Sequence, residues 1–252
     1  MKLSICIDSV MMGIDPALAI YKAHELGFTA VEFWEWEEKD IDAIVKAKEE
    51  TGIEISTFCT ACPNLVDENQ REVYIEGLKR TIPVAKRLGC NRLISETGNE
   101  MNIERSIQHQ SIIDGLKACV PILEKNDITL MIEPLNIRVD HAGYYLSSSD
   151  EAAKIVSDVG SNNIKMLFDI YHQQITEGDV IRRIKKYLPL IEHFHTAGSE
   201  GRHELYKSEL DYAYIFRTLR EIGYDKYVGL EYMREDELEK GLTYAKEIFY
   251  NK

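Results

Sequence analysis

Short apolar runs alternate with longer amphipathic stretches along the whole chain. Each run has about 4–7 residues, the usual length of a strand that is buried on both faces of a parallel sheet. Eight such runs occur, at Leu3–Ile7, Ala30–Phe33, Ile53–Phe58, Arg92–Ser95, Thr129–Glu133, Lys165–Asp169, Ile191–His195 and Tyr227–Glu231. The pattern therefore predicts eight parallel strands.

The stretches between these runs have the period of an amphipathic helix. In Pro16–Leu26 and Val73–Leu88, apolar residues recur every three or four positions and so share one helical face. The same spacing recurs in the next helix, at Ile112, Leu116, Val120 and Leu123. Glycine or asparagine often follows a helical stretch and predicts helix ends at Gly27, Gly52, Gly89, Asn126 and Gly223.

Strand and helix thus alternate eight times over 252 residues, with no linker or low-complexity segment between them. This number of parallel units predicts a closed (β/α)8 TIM barrel, a fold of about 250 residues, as a single domain over residues 1–252. An open doubly wound sheet is the alternative. Residues 6–13, at the end of the first strand and directly after it, match neither the dinucleotide-binding nor the Walker glycine pattern.

Composition and charge narrow the class of protein. Hydrophobic residues make up 44% and charged residues 29% of the chain, a balance typical of soluble globular proteins. No apolar stretch reaches the roughly 18 residues of a membrane span, and the first apolar run is too short for a signal peptide, so we expect a cytoplasmic protein. A net charge of −13 disfavours nucleic acid and membrane partners but leaves a small anionic substrate open. The oligomeric state is left open, with a homo-oligomer among the options.

The five cysteines do not suggest a disulfide framework, because an odd count leaves at least one unpaired. Cys59 and Cys62 form a CxxC pattern just after the third predicted strand. A redox or zinc role usually needs a helix start or a second pair, so we do not expect a functional role here. Trp34 and Trp36 follow the second strand, where each fits a pocket wall or the core equally well.

Four polar residues end the last four predicted strands: Glu133, Asp169, His195 and Glu231. They are spaced by 36, 26 and 36 residues, about one barrel unit each. Taken singly, each carboxylate is explained equally well as a helix cap or a salt-bridge partner, and the histidine as a hydrogen-bonded residue of the core. Together they predict one site, because the carboxyl ends of barrel strands meet at the same rim.

A metal ion explains this combination of side chains. Three buried carboxylates within a few ångströms would repel one another and shift their pKa values by several units. A divalent cation removes that conflict. Oxygen-rich ligation with one nitrogen suits Mg²⁺, Mn²⁺ or Co²⁺ better than a structural zinc. The residues therefore predict one divalent metal ion of undetermined identity.

The motifs around these residues resemble those of the hydroxypyruvate isomerases, within the xylose-isomerase-like barrels. The resemblance rests on motifs that occur in order over residues 129–232, at Ile132–Asn136 with Gly143–Leu146, Phe168–Gln173, Gly201–Glu204 and Gly229–Tyr232. The wider group also contains ketose 3-epimerases, inosose dehydratases and DNA repair enzymes of the endonuclease IV type.

The resemblance implies a role for each matched residue. The metal ligands would be Glu133, Asp169, His195 and Glu231, and the acid/base pair would be Glu133 and Glu231. His172 and Arg202 match residues that contact substrate oxygens. There is one departure, because hydroxypyruvate isomerases carry glutamine at the position of His195, whereas ketose 3-epimerases carry histidine. Since both side chains coordinate metals, the departure affects the expected substrate and not the metal site.

These residues suit an isomerisation. Moving a carbonyl along a hydroxy-carbonyl compound requires removal of a proton beside the carbonyl, which gives an enediolate whose negative charge a metal can stabilise. One carboxylate takes the proton and a second group returns it. The forked guanidinium of Arg202 suits a substrate carboxylate. The sequence thus predicts a metal-dependent isomerase of hydroxypyruvate or a related 2-oxo acid, with a ketose 3-epimerase as the alternative.

Two other classes of protein are less well supported. An endonuclease IV-like phosphodiesterase needs several metals and further histidines on the early strand ends. The segments Phe58–Thr60 and Ile94–Glu96 supply no histidine, and His109 falls in a helical stretch. A non-catalytic sugar-binding barrel does not need paired bases, so the two glutamates disfavour it.

Overall fold

Nine parallel strand segments form one sheet in the computed structural model, which describes residues 1–61 and 64–250. The segments are β1 (Lys2–Cys6), β2 (Ala30–Glu32), β3 (Glu54–Ile55), β4 (Phe58–Cys59), β5 (Arg92–Ser95), β6 (Thr129–Ile132), β7 (Ile164–Asp169), β8 (Ile191–Thr196) and β9 (Tyr227–Leu230). Their order in the sheet is β3-β2-β1-β9-β8-β7-β6-β5-β4. Within the described residues, none of the helices has the length and apolar character needed to cross a membrane.

The sheet closes on itself through the third predicted strand, which is divided into β3 and β4. β3 pairs with β2, whereas β4 pairs with β5 at the other end of the sheet order. Backbone bonds continue on both sides, since the N–H of Ser56 donates to the oxygen of Val31 at 2.9 Å and that of Thr60 donates to Ile94 at 2.8 Å. The eight predicted runs therefore occupy eight positions around a (β/α)8 barrel, and the open sheet is excluded.

Helices follow the strands and cover the outside of the barrel. They are α1 (Ile7–Val10), α2 (Pro16–Glu25), α3 (Ile41–Thr51), α4 (Arg71–Leu88), α5 (Arg105–Asn126), α6 (Ser149–Val159), α7 (Ile170–Thr176), α8 (Val180–Tyr187), α9 (Tyr212–Glu221) and α10 (Leu238–Tyr250), with 3₁₀ turns at Glu68–Gln70 and Leu188–Leu190. His109 lies in α5, as expected.

The predicted helix ends hold at the glycines but not at Asn126. Gly52 and Gly89 cap α3 and α4 in the left-handed conformation, with φ of 73° and 62°. Asn126 is still helical, and the left-handed cap of α5 is Asp127 with φ of 54°. Aspartate tolerates this conformation almost as asparagine does, because a short polar side chain can bond locally.

The interior of the barrel has an apolar side and a polar side. Ile94, Met131 and Leu167 form a small buried cluster that comes from β5, β6 and β7. The polar side is centred on the carboxylate of Glu32, where Oε2 accepts a hydrogen bond of 2.8 Å from the hydroxyl of Ser56. Burying a carboxylate is costly unless it is paired and hydrogen-bonded, so this side of the barrel must supply its partners.

Histidine rings from β8 and a glycine from β9 accommodate Glu32. The Nε2 atoms of His193 and His195 lie 3.1 Å and 2.9 Å from the two oxygens of this carboxylate. A Cβ on Gly229 would fall 2.0 Å from Oε1 of Glu32 and 2.8 Å from Cδ2 of His195. Because a methyl group cannot fit there, β9 requires glycine at this position.

Gly229→Ala should therefore lower the free energy of unfolding by about 1–3 kcal/mol, the usual cost of overpacking a core, and displace the imidazole of His195. Denaturant unfolding and the imidazole NMR signals of His195 measure the two effects. Gly160→Ala is the control, because the added Cβ meets only the oxygen of Ser157 at 3.8 Å. With φ of 73° at Gly160, the control should cost about 1–2 kcal/mol and leave His195 unchanged. An alanine at 229 with native stability and native His195 signals would contradict this packing.

Candidate active site at the carboxyl end of the barrel

Three of the four predicted strand-end residues, the carboxylates, converge at one point, and the fourth, His195, lies against two of them. Glu133 follows β6, Asp169 ends β7, His195 lies in β8 and Glu231 follows β9. The exposed fraction of each is at most 6%. Nδ1 of His195 lies 3.5 Å from Oε1 of Glu133 and 3.4 Å from Oε2 of Glu231. One oxygen of each carboxylate and one ring nitrogen of His172 all lie within 4.8 Å of one another. This spacing would let the carboxylates share one ion.

The two carboxylate oxygens of Asp169 have different surroundings. One accepts backbone hydrogen bonds, and the other faces the candidate site. Its Oδ1 caps α7 by accepting hydrogen bonds from the N–H groups of Tyr171 at 2.7 Å and His172 at 3.2 Å. Its Oδ2 is buried and has no hydrogen-bond partner among the described residues, as is also true of Oε1 of Glu133. A cap fixes the direction of a carboxylate, so the second oxygen of Asp169 is held toward the glutamates.

The carboxylates differ strongly in how easily they ionise. Burial, together with the charge of Glu231, raises the pKa of Asp169 to about 7, and burial also raises the pKa of Glu133. Burial disfavours the charged form of Glu231 too, but the positive charges of His195 and Arg202 hold its pKa well below the usual range. Among three neighbouring carboxylates, Glu231 is therefore the one most firmly held as an anion.

The histidine of the site is stabilised in its charged form. Burial lowers the pKa of His195, but the charges of Glu231 and Glu32 outweigh that effect and raise the pKa well above its ordinary value. Opposite charges within a few ångströms favour the charged forms of both groups. The imidazolium of His195 and the guanidinium of Arg202 thus provide the protein's own counter-charges to the carboxylates.

Glu231 is held by donors on both oxygens. Nε1 of Trp34 donates to Oε1 at 2.6 Å, and Nη2 of Arg202 donates to Oε2. Arg202 has φ of 58°, uncommon for a residue with a side chain, and its guanidinium carbon lies 5.5 Å from the centre of the Tyr171 ring. Its Nε is buried without a partner among the described residues. From the sequence, Trp34 fits a pocket wall or the core equally well. Its hydrogen bond to Glu231 places it in the site.

His172 lies in the first turn of α7 and is fully buried. Nε2 of His172 is 3.6 Å from Oδ2 of Asp169, and Nδ1 faces Asn136. Both residues that we expect to contact the substrate, His172 and Arg202, therefore lie directly against the carboxylates.

Sequence reasoning missed Glu32 and His193, which form a second group with His195. A signal was present, because His193 precedes His195 by two residues and so shares its face of the strand. Glu32 is the last residue of β2. Its contact with Nε2 of His195 leaves Nδ1 of that ring toward Glu133 and Glu231. A carboxylate behind a histidine in this way commonly fixes which ring nitrogen faces a metal.

Of the CxxC pattern, the described residues include Cys59 alone. Burial raises the pKa of the Cys59 thiol well above its usual value, with the charge of Glu133 adding to the effect. Such a thiol is a poor nucleophile. Cys62 lies outside the described residues. The other cysteines, Cys6, Cys90 and Cys119, are buried and free.

Curated relatives of the chain are isomerases. A 2-oxo-tetronate isomerase from Cupriavidus necator is 40% identical over 178 residues, which cover 70% of this chain and 68% of the relative. A hydroxypyruvate isomerase from Escherichia coli (strain K12) is 31% identical over 178 residues, which cover 69% of this chain and 68% of the relative. These relatives show that the chain is an enzyme of the isomerase class.

Solved structures share the whole fold. A crystal structure from Brucella melitensis, described as AP endonuclease, family 2, superposes with a TM-score of 0.93 at 25% identity and covers 100% of this chain and 99% of its own. A D-psicose 3-epimerase solved in the presence of D-fructose has a TM-score of 0.79 at 22% identity and covers 96% and 89%. The sequence model of the xylose isomerase-like TIM barrels matches residues 20–248. The chain therefore belongs to the xylose isomerase-like TIM barrel family.

Proposed function

We propose that Glu133, Asp169, His195 and Glu231 bind one divalent metal ion, and that the site isomerises a small 2-oxo acid such as hydroxypyruvate or 2-oxotetronate. The observation that carries the proposal is the convergence of three buried carboxylates, two of which lie 3.5 Å and 3.4 Å from Nδ1 of His195. The two curated relatives act, by their names, on hydroxypyruvate and 2-oxo-tetronate.

The side chains fit a hard cation. Oε1 of Glu133, Oδ2 of Asp169 and Nδ1 of His195 are buried polar atoms with no hydrogen-bond partner among the described residues. A set of several carboxylate oxygens with one nitrogen suits Mg²⁺, Mn²⁺ or Co²⁺. When bound, such an ion would stabilise the negative charge that develops on the substrate oxygens.

Proton transfer falls to the two glutamates. Burial raises the pKa of Glu133, which brings this carboxylate closer to the value that a general base needs near neutral pH. Glu231 is bound by Trp34 and Arg202, so it accepts a proton less readily until those bonds change. Glu133 and Glu231 follow strands on either side of the pair formed by β7 and β8, so each can reach a different carbon of a substrate held between them. One removes the proton beside the carbonyl, and the other delivers a proton to the neighbouring carbon.

The guanidinium of Arg202 favours a substrate that carries a carboxylate over a neutral sugar. One of its nitrogens donates to Glu231, while Nε is buried and has no hydrogen-bond partner in the described part of the chain. A guanidinium can hold a carboxylate with two parallel N–H groups, and hydroxypyruvate and 2-oxotetronate each carry one carboxylate. Epimerisation of a free ketose remains the second candidate, because His195 stands where the resemblance places histidine in ketose 3-epimerases.

Incubation with substrates in D₂O tests the reaction. The Mn²⁺- or Mg²⁺-loaded enzyme should exchange the hydrogen beside the carbonyl of hydroxypyruvate and 2-oxotetronate for deuterium, since an enediolate loses that proton. NMR after removal of the metal follows the loss of the C–H signal. Simple ketoses and DNA with abasic sites complete the panel. Exchange in ketoses alone would favour the epimerase, and cleavage of the DNA with no exchange would overturn the isomerase.

Glu133→Gln and Glu231→Gln should each lower kcat by about 10²–10⁴-fold while metal binding persists, because glutamine keeps an oxygen ligand but not the base. Asp169→Asn should instead weaken metal affinity, with activity partly restored by excess Mn²⁺. Steady-state kinetics and calorimetric metal titration separate the two effects.

Glu221→Gln, at the exposed end of α9, is the matched control and should behave as the native enzyme. If both glutamine variants at the site keep near-native kcat with metal bound, the glutamates are ligands only. His172 would then be the nearest candidate for the base.

Metal affinity should rise with pH between about 6 and 8. Without metal, Asp169 has a pKa of about 7 and the pKa of His195 is raised, so both groups hold protons that a cation must displace. As pH rises through these values, fewer protons oppose binding. Calorimetry of Mn²⁺ binding in buffers of different ionisation enthalpy counts the released protons. Affinity that does not change with pH, with no proton released, would contradict these ionisation states.

A further inference from the structure

The orientation of the Asn136 side chain is determined by its backbone neighbours. Asn136 is fully buried in the segment that follows β6. Its Oδ1 accepts hydrogen bonds from the backbone N–H groups of Val139 at 3.0 Å and Asp140 at 3.3 Å. Backbone N–H groups can only donate, so the oxygen of this amide must lie on that side. Nδ2 therefore points the other way, toward Oδ2 of Asp140 at 2.6 Å and Nδ1 of His172 at 2.7 Å.

This orientation decides which nitrogen of His172 carries the proton. Nδ2 of Asn136 is a donor, and the backbone N–H of the same residue also approaches Nδ1 of His172, at 3.3 Å. A ring nitrogen that receives two N–H groups must offer its lone pair. In a neutral imidazole the single proton is then on Nε2. That atom lies 3.6 Å from Oδ2 of Asp169 and has no hydrogen-bond partner among the described residues.

We propose that Asn136 is a positioning residue that holds His172 as a neutral hydrogen-bond donor, with its Nε2–H directed at a substrate oxygen. The inference deepens the proposed function, on which its kinetic test rests. It also decides between two interpretations of the carboxylate group, because a metal ion on Nε2 would require the neutral ring to carry its proton on Nδ1, where two N–H groups already point. His172 is thereby excluded as a ligand although it lies within reach of all three carboxylates.

His195 shows the opposite arrangement. Its Nε2 lies 2.9 Å from an oxygen of Glu32, an acceptor, and its Nδ1 faces the glutamates. When this ring is neutral, the carboxylate behind it favours the proton on Nε2 and leaves the lone pair of Nδ1 for a metal. The two imidazoles of the site therefore differ in the ring nitrogen that is left to face it. The amide of Asn136 donates to Nδ1 of His172, whereas the carboxylate of Glu32 accepts from Nε2 of His195.

Asn136→Asp reverses the donor without changing the size of the side chain. The new carboxylate still accepts the N–H groups of Val139 and Asp140, but it offers an acceptor to Nδ1 of His172, so the ring proton should move to Nδ1. The double variant Asn136→Asp with Asp140→Asn restores the hydrogen bond between positions 136 and 140 and leaves the reversal at His172. Any effect of the lost 136–140 bond is removed in this way.

Long-range ¹H–¹⁵N spectra of the Mg²⁺-loaded protein report the tautomer directly. The native enzyme should show His172 protonated on Nε2, with the signal assigned by its loss in His172→Gln. Both Asn136→Asp and the double variant should show the proton on Nδ1. Asn163→Asp, before β7, is the matched control and should leave the His172 signals unchanged.

Kinetics with hydroxypyruvate measure the consequence. Both variants should lower kcat/KM by about 10–100-fold, the usual effect of one lost hydrogen bond to a polar or charged group, with Mg²⁺ affinity within about twofold of native. A native His172 protonated on Nδ1, or more than tenfold weaker Mg²⁺ binding in His172→Gln, would overturn the proposal. Failure of the proposed reaction would appear separately, as no turnover by a native enzyme whose tautomer is as assigned.

Discussion

Three carboxylates at one buried point are the constraint on which the rest of the site depends. Glu133, Asp169 and Glu231 lie at the carboxyl ends of β6, β7 and β9 and are almost fully shielded from water. Like charges at such distances cannot all ionise unless positive charge is supplied. Arg202 and protonated His195 supply part of it, and the depressed pKa of Glu231 beside the raised pKa of Asp169 shows how unevenly they do so. A divalent cation would stabilise all three.

A polar layer inside the barrel supports this rim. The carboxylate of Glu32 contacts His193 and His195, and Gly229 leaves the space that this carboxylate needs. On the other side of the site, Asn136 supports His172. Hydrogen-bond partners on the far side of a functional side chain restrict its rotamer and the position of its proton. Residues that never touch the substrate therefore help to fix the geometry of the site. The fold places these supports on strands and on the turns directly after them.

Much of this could be predicted from the order of residues, because barrel strands repeat at regular intervals and end at a common rim. That regularity brings Glu133 and Glu231 together without any knowledge of side-chain direction. The sequence could not specify the contacts between individual side-chain atoms in the site. Glu32 is one carboxylate among many in the sequence, and only the register of β2 against β1 puts it inside the barrel. The tautomers of His172 and His195 depend on neighbours distant in the chain.

A crystal of the protein soaked in Mn²⁺, with an anomalous difference map, tests the central claim most directly. The account predicts one strong peak at about 2.0–2.3 Å from oxygens of Glu133, Asp169 and Glu231 and from Nδ1 of His195. A peak among Glu32, His193 and His195 instead, or none at either place, would contradict it.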